Sequence, residues 1–387
     1  MNWSTDELVT HSGLRLYPSA GDGSGWLAID LVSCVRFRCS QVATAVLIAF
    51  MDGGNVEAIC AALANRYALD RSLLDETVAQ LSQLRLLVPP DDTDHCRYSA
   101  LFKAWAEYGW VDSADYHVAT LNYPFADYSV DGREIDYQRM VQYVQTEPDL
   151  ERAKYFADAP NRIPAPLAAD VLQDLKEPFV DLWNGDPGLE RLDRSRCLAL
   201  LSVVFGKLRS RQLATNSRLM ADAIGKTSPS GGSRHPTEAY LFAASIEGLN
   251  PGIYHYNVLD VSLDRIAEFE DSHDQMMKLF SGPLRASFAV DGVVVMTSVF
   301  ERSMYRYREP RSFRAIYMDV GHICGTMDIS AKALRVNCLV QHGLNDRKVG
   351  ELLRLDPLVE GVIYGAAIGG SGNQRTRNSK VFVYEAD

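Results

Sequence analysis

A glycine pair set in a polar stretch and followed at once by an apolar run constrains this chain more than any other feature. Lys226-Thr227-Ser228-Pro229-Ser230-Gly231-Gly232-Ser233-Arg234-His235-Pro236-Thr237-Glu238 leads directly into Ala239-Tyr240-Leu241-Phe242-Ala243-Ala244. The apolar run predicts a buried strand and the glycines a turn before it. Asn250-Pro251-Gly252 is a second turn and Ile253-Tyr254-His255-Tyr256 a second strand, so the pair reads as a hairpin. Val293–Thr297 predicts a core strand, and Cys338-Leu339-Val340 and Val362–Ala366 close the sheet. Arg196 to Lys207 reads as an apolar helix. Phe313 to Leu334 reads as a long one, with Tyr317, Val320, Cys324, Met327, Ala331 and Leu334 at helical steps. The expected class from about residue 190 onward is α+β, a mixed sheet flanked by helices.

The first 92 residues read as a separate unit. Gly25–Leu31 and Ser33–Phe37 alternate as short strands. Three helical patterns follow: Val42–Met51, closed by Gly53-Gly54; Val56–Tyr67; and Asp70–Leu87, stopped by Pro89-Pro90. Two strands and three short helices suggest a winged-helix-like module. It carries six basic against eleven acidic residues, which argues against DNA as its ligand. Residues 93–190, with Asp91-Asp92-Thr93-Asp94 before them and Pro160, Pro164 and Pro166 within them, read as a linker that wraps the next domain. Residues 191–387 make the third division.

Composition narrows the partners. A net charge of -11 is the wrong sign for nucleic acid or an anionic membrane. No apolar run reaches the length of a membrane span, and the N-terminus lacks the layout of a signal peptide. Cys34, Cys39, Cys60, Cys96, Cys197, Cys324 and Cys338 are odd in number and show no CxxC spacing, which fits reduced thiols in a cytoplasm and no zinc site.

Two stretches could carry chemistry. In the glycine loop, positive φ at Gly231 or Gly232 lets successive N–H groups point into one concavity, with Ser228, Ser230 and Ser233 as hydroxyl donors and Lys226, Arg234 and His235 as cationic or switchable ones. Such a loop suits a flavin phosphate, ribityl chain or ring edge; a tight turn with polar decoration satisfies the same residues. The second stretch, Arg302 to Arg314, holds five arginines with Tyr305 and Tyr307 and leads into the helix bearing Asp319-Val320-Gly321-His322. It could hold an anion or supply a general acid or base, or be a solvated basic segment. His322 alone reads as a core histidine. No GxGxxG, GxxxxGK[ST], HExxH or GxSxG is present.

Together these residues resemble the SagB-type dehydrogenases, the thiazole/oxazole-oxidase branch of the FMN-dependent nitroreductase superfamily. Four stretches carry the likeness: Tyr116-His117-Val118-Ala119-Thr120; Pro229 to Tyr240; Pro251-Gly252-Ile253-Tyr254-His255-Tyr256; and Arg306-Tyr307 through Asp319-Val320-Gly321-His322. The resemblance implies non-covalent FMN, a homodimer with FMN at the subunit interface, and oxidation of a residue or heterocycle on a precursor peptide or peptide-like intermediate. It makes residues 25 to 90 a candidate leader-peptide recognition module. Oxygenation of an aromatic side chain, a non-catalytic peptide scaffold and a general NAD(P)H nitro or quinone reductase are the competing expectations.

The sequence departs from the family pattern twice. Where the family carries a proton-transferring Lys-Tyr pair, this chain has Arg306-Tyr307, and arginine cannot act as a base. Tyr307 is then expected to transfer the proton, with Arg306 acting electrostatically. The family's Arg-rich phosphate segment is not cleanly present. Arg194 and Arg196, or Arg209 and Arg211, are candidates to replace it, and Gly369 and Gly370 join the loop residues in the expected cofactor set.

Overall fold

The structure, a computed structural model, describes residues 7–19, 25–121, 129–146, 151–175, 191–210 and 224–370. The chain divides into two compact units, Met1–Ala126 and Asp127–Asp387.

In the first unit, β1 (Glu7–Thr10), β2 (Leu14–Pro18), β3 (Trp26–Asp30) and β4 (Val35–Cys39) precede α1 (Gln41–Ala49). Then come β5 (Gly54–Asn55), α2 (Val56–Tyr67), α3 (Arg71–Gln83), β6 (Leu87–Val88), α4 (Thr93–Glu107) and α5 (Val111–Ala119). The strands β2, β3 and β4 form one antiparallel sheet, and β1 lies between β5 and β6 in another. Each of the three helices expected here begins on a side-chain cap, from Ser40, Asn55 and Asp70. The third stops at Gln83, four residues short of expectation, because Leu87-Val88 is used as a strand against β1. Leu47, Phe50, Leu74 and Leu87 are fully buried in this unit's own core.

The second unit begins with α6 (Gly132–Thr146), β7 (Asn161–Pro164), α7 (Ala168–Asp174), α8 (Arg194–Phe205), β8 (Arg209–Ser210) and β9 (Ile224–Gly225). It continues with β10 (Thr237–Ala243), β11 (Gly252–Asn257), β12 (Ser262–Ala267), α9 (Ser272–Leu279) and α10 (Gly282–Arg285). Last come β13 (Gly292–Val299), α11 (Phe300–Met304), α12 (Phe313–Ala333), β14 (Asn337–Gln341), α13 (Asp346–Leu353) and β15 (Glu360–Gly369). The stretch read as a linker therefore divides: α4 and α5 fall in the first unit, α6, β7 and α7 in the second.

Seven strands form the main sheet in the order β14-β15-β13-β10-β11-β12-β7, and every ladder in it is antiparallel. The parallel pairing among the described residues is the isolated bridge Asp193–Glu247. The expected hairpin is β10 with β11, Leu241 opposite Tyr254. Side chains alternate between two cores. Ala239 and Leu241 face α8 and α12 through Leu201, Val204, Val320 and Met327, while Tyr240 and Phe242 face the other layer through Met276, Leu279 and Val349. Burial of each large apolar side chain contributes about 1.5–3 kcal/mol. The α+β, helix-flanked architecture expected of this half is thus present, with ladders that are antiparallel among the described residues where a mixed sheet was expected, and it is preceded by a small unit of strands and helices.

Register sets the glycine loop and Asp291 far apart. In the β10–β13 ladder Thr237 lies opposite Ser298 and Ala243 opposite Gly292. The glycine loop therefore sits at one end of β10 and Asp291 at the other, separated by seven strand residues, about 20 Å. Among the described residues no helix is long and apolar enough to cross a membrane, and no group of His, Cys, Asp and Glu could hold a metal ion.

Candidate functional site

The glycine loop is fastened by one carboxylate. Asp319, on α12, accepts the Ser230 hydroxyl at 2.6 Å and the Gly231 N–H at 3.1 Å, and the His235 N–H donates to Ser230 Oγ at 2.9 Å. Burial pushes the Asp319 carboxyl above its usual value, against the pull of those two donors. Ser228 sits deeper, its hydroxyl 2.7 Å from that of Thr326, also on α12, and Thr227 donates to the Val203 carbonyl on α8 at 2.7 Å. Ser228 and Ser230 thus hold the loop to its supporting helix. Lys226 lines the floor with Ser228 and Asp319, and burial pushes its ammonium down to about 8 despite the nearby Glu238.

The loop's backbone is unusual. Gly232 takes φ +59, and Ser233 and His235 also lie in the left-handed region at 55 and 45. Non-glycine residues there cost on the order of 1–3 kcal/mol each and concentrate at ligand sites. A Cβ at Gly232 would stand 2.6 Å from the Tyr307 hydroxyl and 3.2 Å from Arg306 Cδ. The absence of a side chain at Gly232 is therefore what lets Tyr307 and Arg306 close over the loop.

A ladder of aromatic rings and guanidinium groups builds the adjoining wall. Arg234 lies over the Tyr305 ring at 5.5 Å, Arg306 over Tyr307 at 5.1 Å, and Arg308 over Tyr143 at 3.7 Å. Helix α6 supplies Tyr143 and also Asp136, which pairs with Arg306 at 2.7 Å. Sequence reasoning missed both, because the sequence around Asp136 and Tyr143 carries no motif and their partners are distant in the chain. The Nε atoms of Arg234 and Arg306 are buried without a hydrogen-bond partner among the described residues. Tyr307 also lines an apolar cavity of about 680 Å³, walled by Phe300, Met304, Phe313, Ile316 and Leu358.

Behind the loop, polar residues of β10 and β11 form a buried network. Glu238 pairs with Arg302 at 2.6 Å and with His255 at 2.8 Å. Burial pushes the Glu238 carboxyl upward, but the His255 bond and the Arg302 charge hold it far below the carboxylate range. Tyr240 donates to Glu360 at 3.0 Å and accepts from Lys154 at 2.7 Å, and Lys154 pairs with Glu360 at 2.6 Å. Glu238, Tyr240 and His255 thus tie the strands that carry the loop to one another.

The structure brings Lys226, Ser228, Ser230, Gly231, Gly232, Ser233, Arg234, His235, Arg306 and Tyr307 into one neighbourhood. It does not bring Arg194, Arg196, Gly369 or Gly370 there. Arg194 and Arg196 open α8, where the Arg194 N–H bonds Glu247 and Arg196 lies 3.8 Å from Asp193. Along the helix they stand about 11–14 Å from Val203, the residue that meets Thr227. The Gly370 N–H donates to Asp291 at 3.0 Å, and a Cβ there would meet the Arg191 backbone at 2.5 Å. Gly369 abuts the Ala289 carbonyl. These glycines permit close backbone packing at the far end of the sheet. Arg209 pairs across to Gly225, near Lys226, and Arg211 lies outside the described residues.

Residues 212–370 match the nitroreductase family. The chain carries a nitroreductase-family domain. The trifolitoxin-processing protein TfxB of Rhizobium leguminosarum bv. trifolii is 28% identical over 250 residues, covering 64% of this chain and 67% of that protein. A Methanocaldococcus jannaschii protein bearing the nitroreductase name is 26% identical over 130 residues, 34% of this chain and 64% of that one. Among solved structures, a nitroreductase-named protein of Anabaena variabilis is 24% identical with a TM-score of 0.43, covering 61% of this chain and 45% of that one. A chain of the E. coli microcin synthetase McbBCD complex, solved with truncated pro-MccB17 bound, is 16% identical with a TM-score of 0.40, covering 66% of this chain and 97% of that one. The chain thus spans about two thirds of its curated relatives and under half of the Anabaena protein.

Proposed function

We propose that this chain is an FMN-dependent oxidoreductase that oxidises a residue or heterocycle on a ribosomal precursor peptide or a similar peptide-like intermediate. The observation that carries the reading is the Tyr307 hydroxyl poised 2.6 Å from where a Cβ on Gly232 would lie. An acid–base group there faces bare backbone, beside the buried, unpartnered Nε of Arg306. Those features fit a flat, electron-accepting cofactor, which Gly231, Gly232, Ser233 and Arg306 would hold. Bound FMN supplies a two-electron acceptor that molecular oxygen can restore.

The chain's own residues do the rest. Asp319 keeps the loop in place through Ser230 and Gly231. Tyr307 exchanges a proton with the reacting residue, and Arg306 holds developing negative charge without giving up its own proton. The apolar cavity beside Tyr307 offers walls for the side chain or ring being presented. A permanently charged Arg306, paired to Asp136, also favours a second reading, oxygenation of an aromatic side chain. Mass spectrometry of a treated peptide separates the two, by loss of two hydrogens or gain of one oxygen.

The peptide substrate is supported by the likeness to a trifolitoxin-processing protein. Residues 1–92 are assigned to peptide recognition, with β4 at the edge of its sheet available for an added strand. A homodimer is part of the proposal. Tyr317 and Met318 of α12 are more than half exposed, and Gly321 and Gly325 have open space before them. The cytoplasm is assigned on the seven free cysteines, of which Cys197, Cys324 and Cys338 are pushed up to about 12 by burial. The reading is tested by the flavin that purified protein releases on heating. FMN supports it; colourless protein that fails to take up FMN overturns it.

A further inference from the structure

The wall above the loop carries more positive charge than it neutralises. Arg152 and Arg306 both lie near enough to Arg234 to act on it electrostatically, and Asp136 pairs with Arg306. Among the described residues neither Arg152 nor Arg234 forms an ion pair. Arg234 is only 6% exposed, and its Nε has no hydrogen-bond partner among the described residues. Its guanidinium is pushed down to about 10, first by burial and then by the charges of Arg152 and Arg306. Holding an unpaired guanidinium in that position costs free energy that an anion would recover. In a chain of net charge -11, such a concentration of unneutralised arginine is not a general surface property.

We propose that Arg152 and Arg234, with Arg306 beside them, form a binding site for a carboxylate carried by the substrate, placed next to the Tyr307 hydroxyl. This rests on the flavin reading for its place in the reaction, though not for its chemistry. FMN's own phosphate is the competing anion. Were the flavin ring held at Gly232, its phosphate would lie a full ribityl chain away, and the cluster beside Tyr307 would face a different charge. Guanidinium groups pair with carboxylates through two parallel N–H donors, which fixes orientation as well as affinity. An acidic group anchored at Arg234 would present the neighbouring atoms of the same substrate to Tyr307.

Benzoate and its neutral isostere benzamide are the probes, titrated into the full purified chain at constant ionic strength. Thermal stabilisation and, where flavin is bound, the visible spectrum are recorded. Benzoate is expected to saturate and benzamide not. Arg234→Met and Arg152→Met should each weaken benzoate by about tenfold or more, as expected for losing a charge-assisted hydrogen bond. The ratio of FMN to riboflavin affinity should stay at the wild-type value in both variants. The proposal is overturned if benzoate binds no better than benzamide, or if both variants bind it like wild type. It is equally overturned if Arg234→Met abolishes the preference for FMN over riboflavin, which would give the cluster to the cofactor phosphate. A colourless chain that still binds benzoate through these arginines would sink the flavin reading alone, and a yellow chain blind to benzoate would sink the carboxylate site alone.

Discussion

Each end of β10 is organised by a single aspartate, and the two ends differ in what surrounds it. At the Ala243 end, Asp291 accepts the Leu192 and Gly370 N–H groups at 3.1 and 3.0 Å and the Ser245 hydroxyl at 2.8 Å. Gly369 and Gly370 pack there against backbone with no room for a Cβ. At the Thr237 end, Asp319 fastens the loop in the same manner, yet next to it lie Arg234 and Arg306 with unpartnered nitrogens, two left-handed non-glycine residues and an open apolar cavity. One end is a finished joint, and the other leaves buried nitrogens without partners beside open space. Buried polar groups left unsatisfied in a native fold call for a reason, and among the described residues the loop end has several where the Asp291 joint shows none.

That contrast can be broken by mutation. Tyr307→Phe should lower peptide turnover by about 100-fold or more, the usual weight of a general acid–base group, while flavin content and Tm stay put. Wild-type turnover across the working pH range would reduce Tyr307 to packing. Asp291→Ala should act in the opposite sense. It strands two buried N–H donors, costing about 2–4 kcal/mol, so Tm falls while FMN bound per folded chain is unchanged. Loss of flavin without loss of stability would erase the distinction between the ends.

Gly232→Val should cost about 1–3 kcal/mol in backbone strain and also displace Tyr307, so flavin is lost at modest cost to the fold. The smallest effect concerns Asp319→Asn. Because the folded-state pKa of Asp319 is raised, the folded state binds its proton more tightly than the unfolded chain. The charged form therefore weakens stability as pH rises through the window from the unfolded to the folded value. Asp319→Asn, which keeps one acceptor, should be most nearly equal or superior to wild type above that window and lose ground below it. Urea midpoints against pH give the answer; a gap that widens the other way would contradict the assignment.

Much of the fold is legible in the residues. The span expected of α2 is the span it has, Val56–Tyr67, and the long helix over Phe313–Ala333 follows from its apolar steps. Buried strands such as β10 and β13 announce themselves as apolar runs bounded by turns. By contrast, β7 is hidden in a proline-containing stretch. Asn161–Pro164 pairs along one side only, at the sheet edge where proline is tolerated, and has no alternation to detect. Arg194, Arg196, Gly369 and Gly370 suit a cofactor by residue type, and type alone does not say at which end of a strand a residue will stand. Arg152, Asp136 and Tyr143 are invisible for the complementary reason: each gains meaning only through a partner more than 80 residues away in the chain, such as Arg234 or Arg306.

The claim at the centre is that the open end of β10 holds FMN against Gly232. Quantifying the flavin released on heating, from the wild-type chain and from Gly232→Val side by side, tests it most directly. The account predicts a yellow wild-type protein releasing FMN in nearly one-to-one ratio to chain, and a folded Gly232→Val protein without it. A wild-type protein that takes up no FMN, or a Gly232→Val protein that keeps it as tightly, would contradict the account.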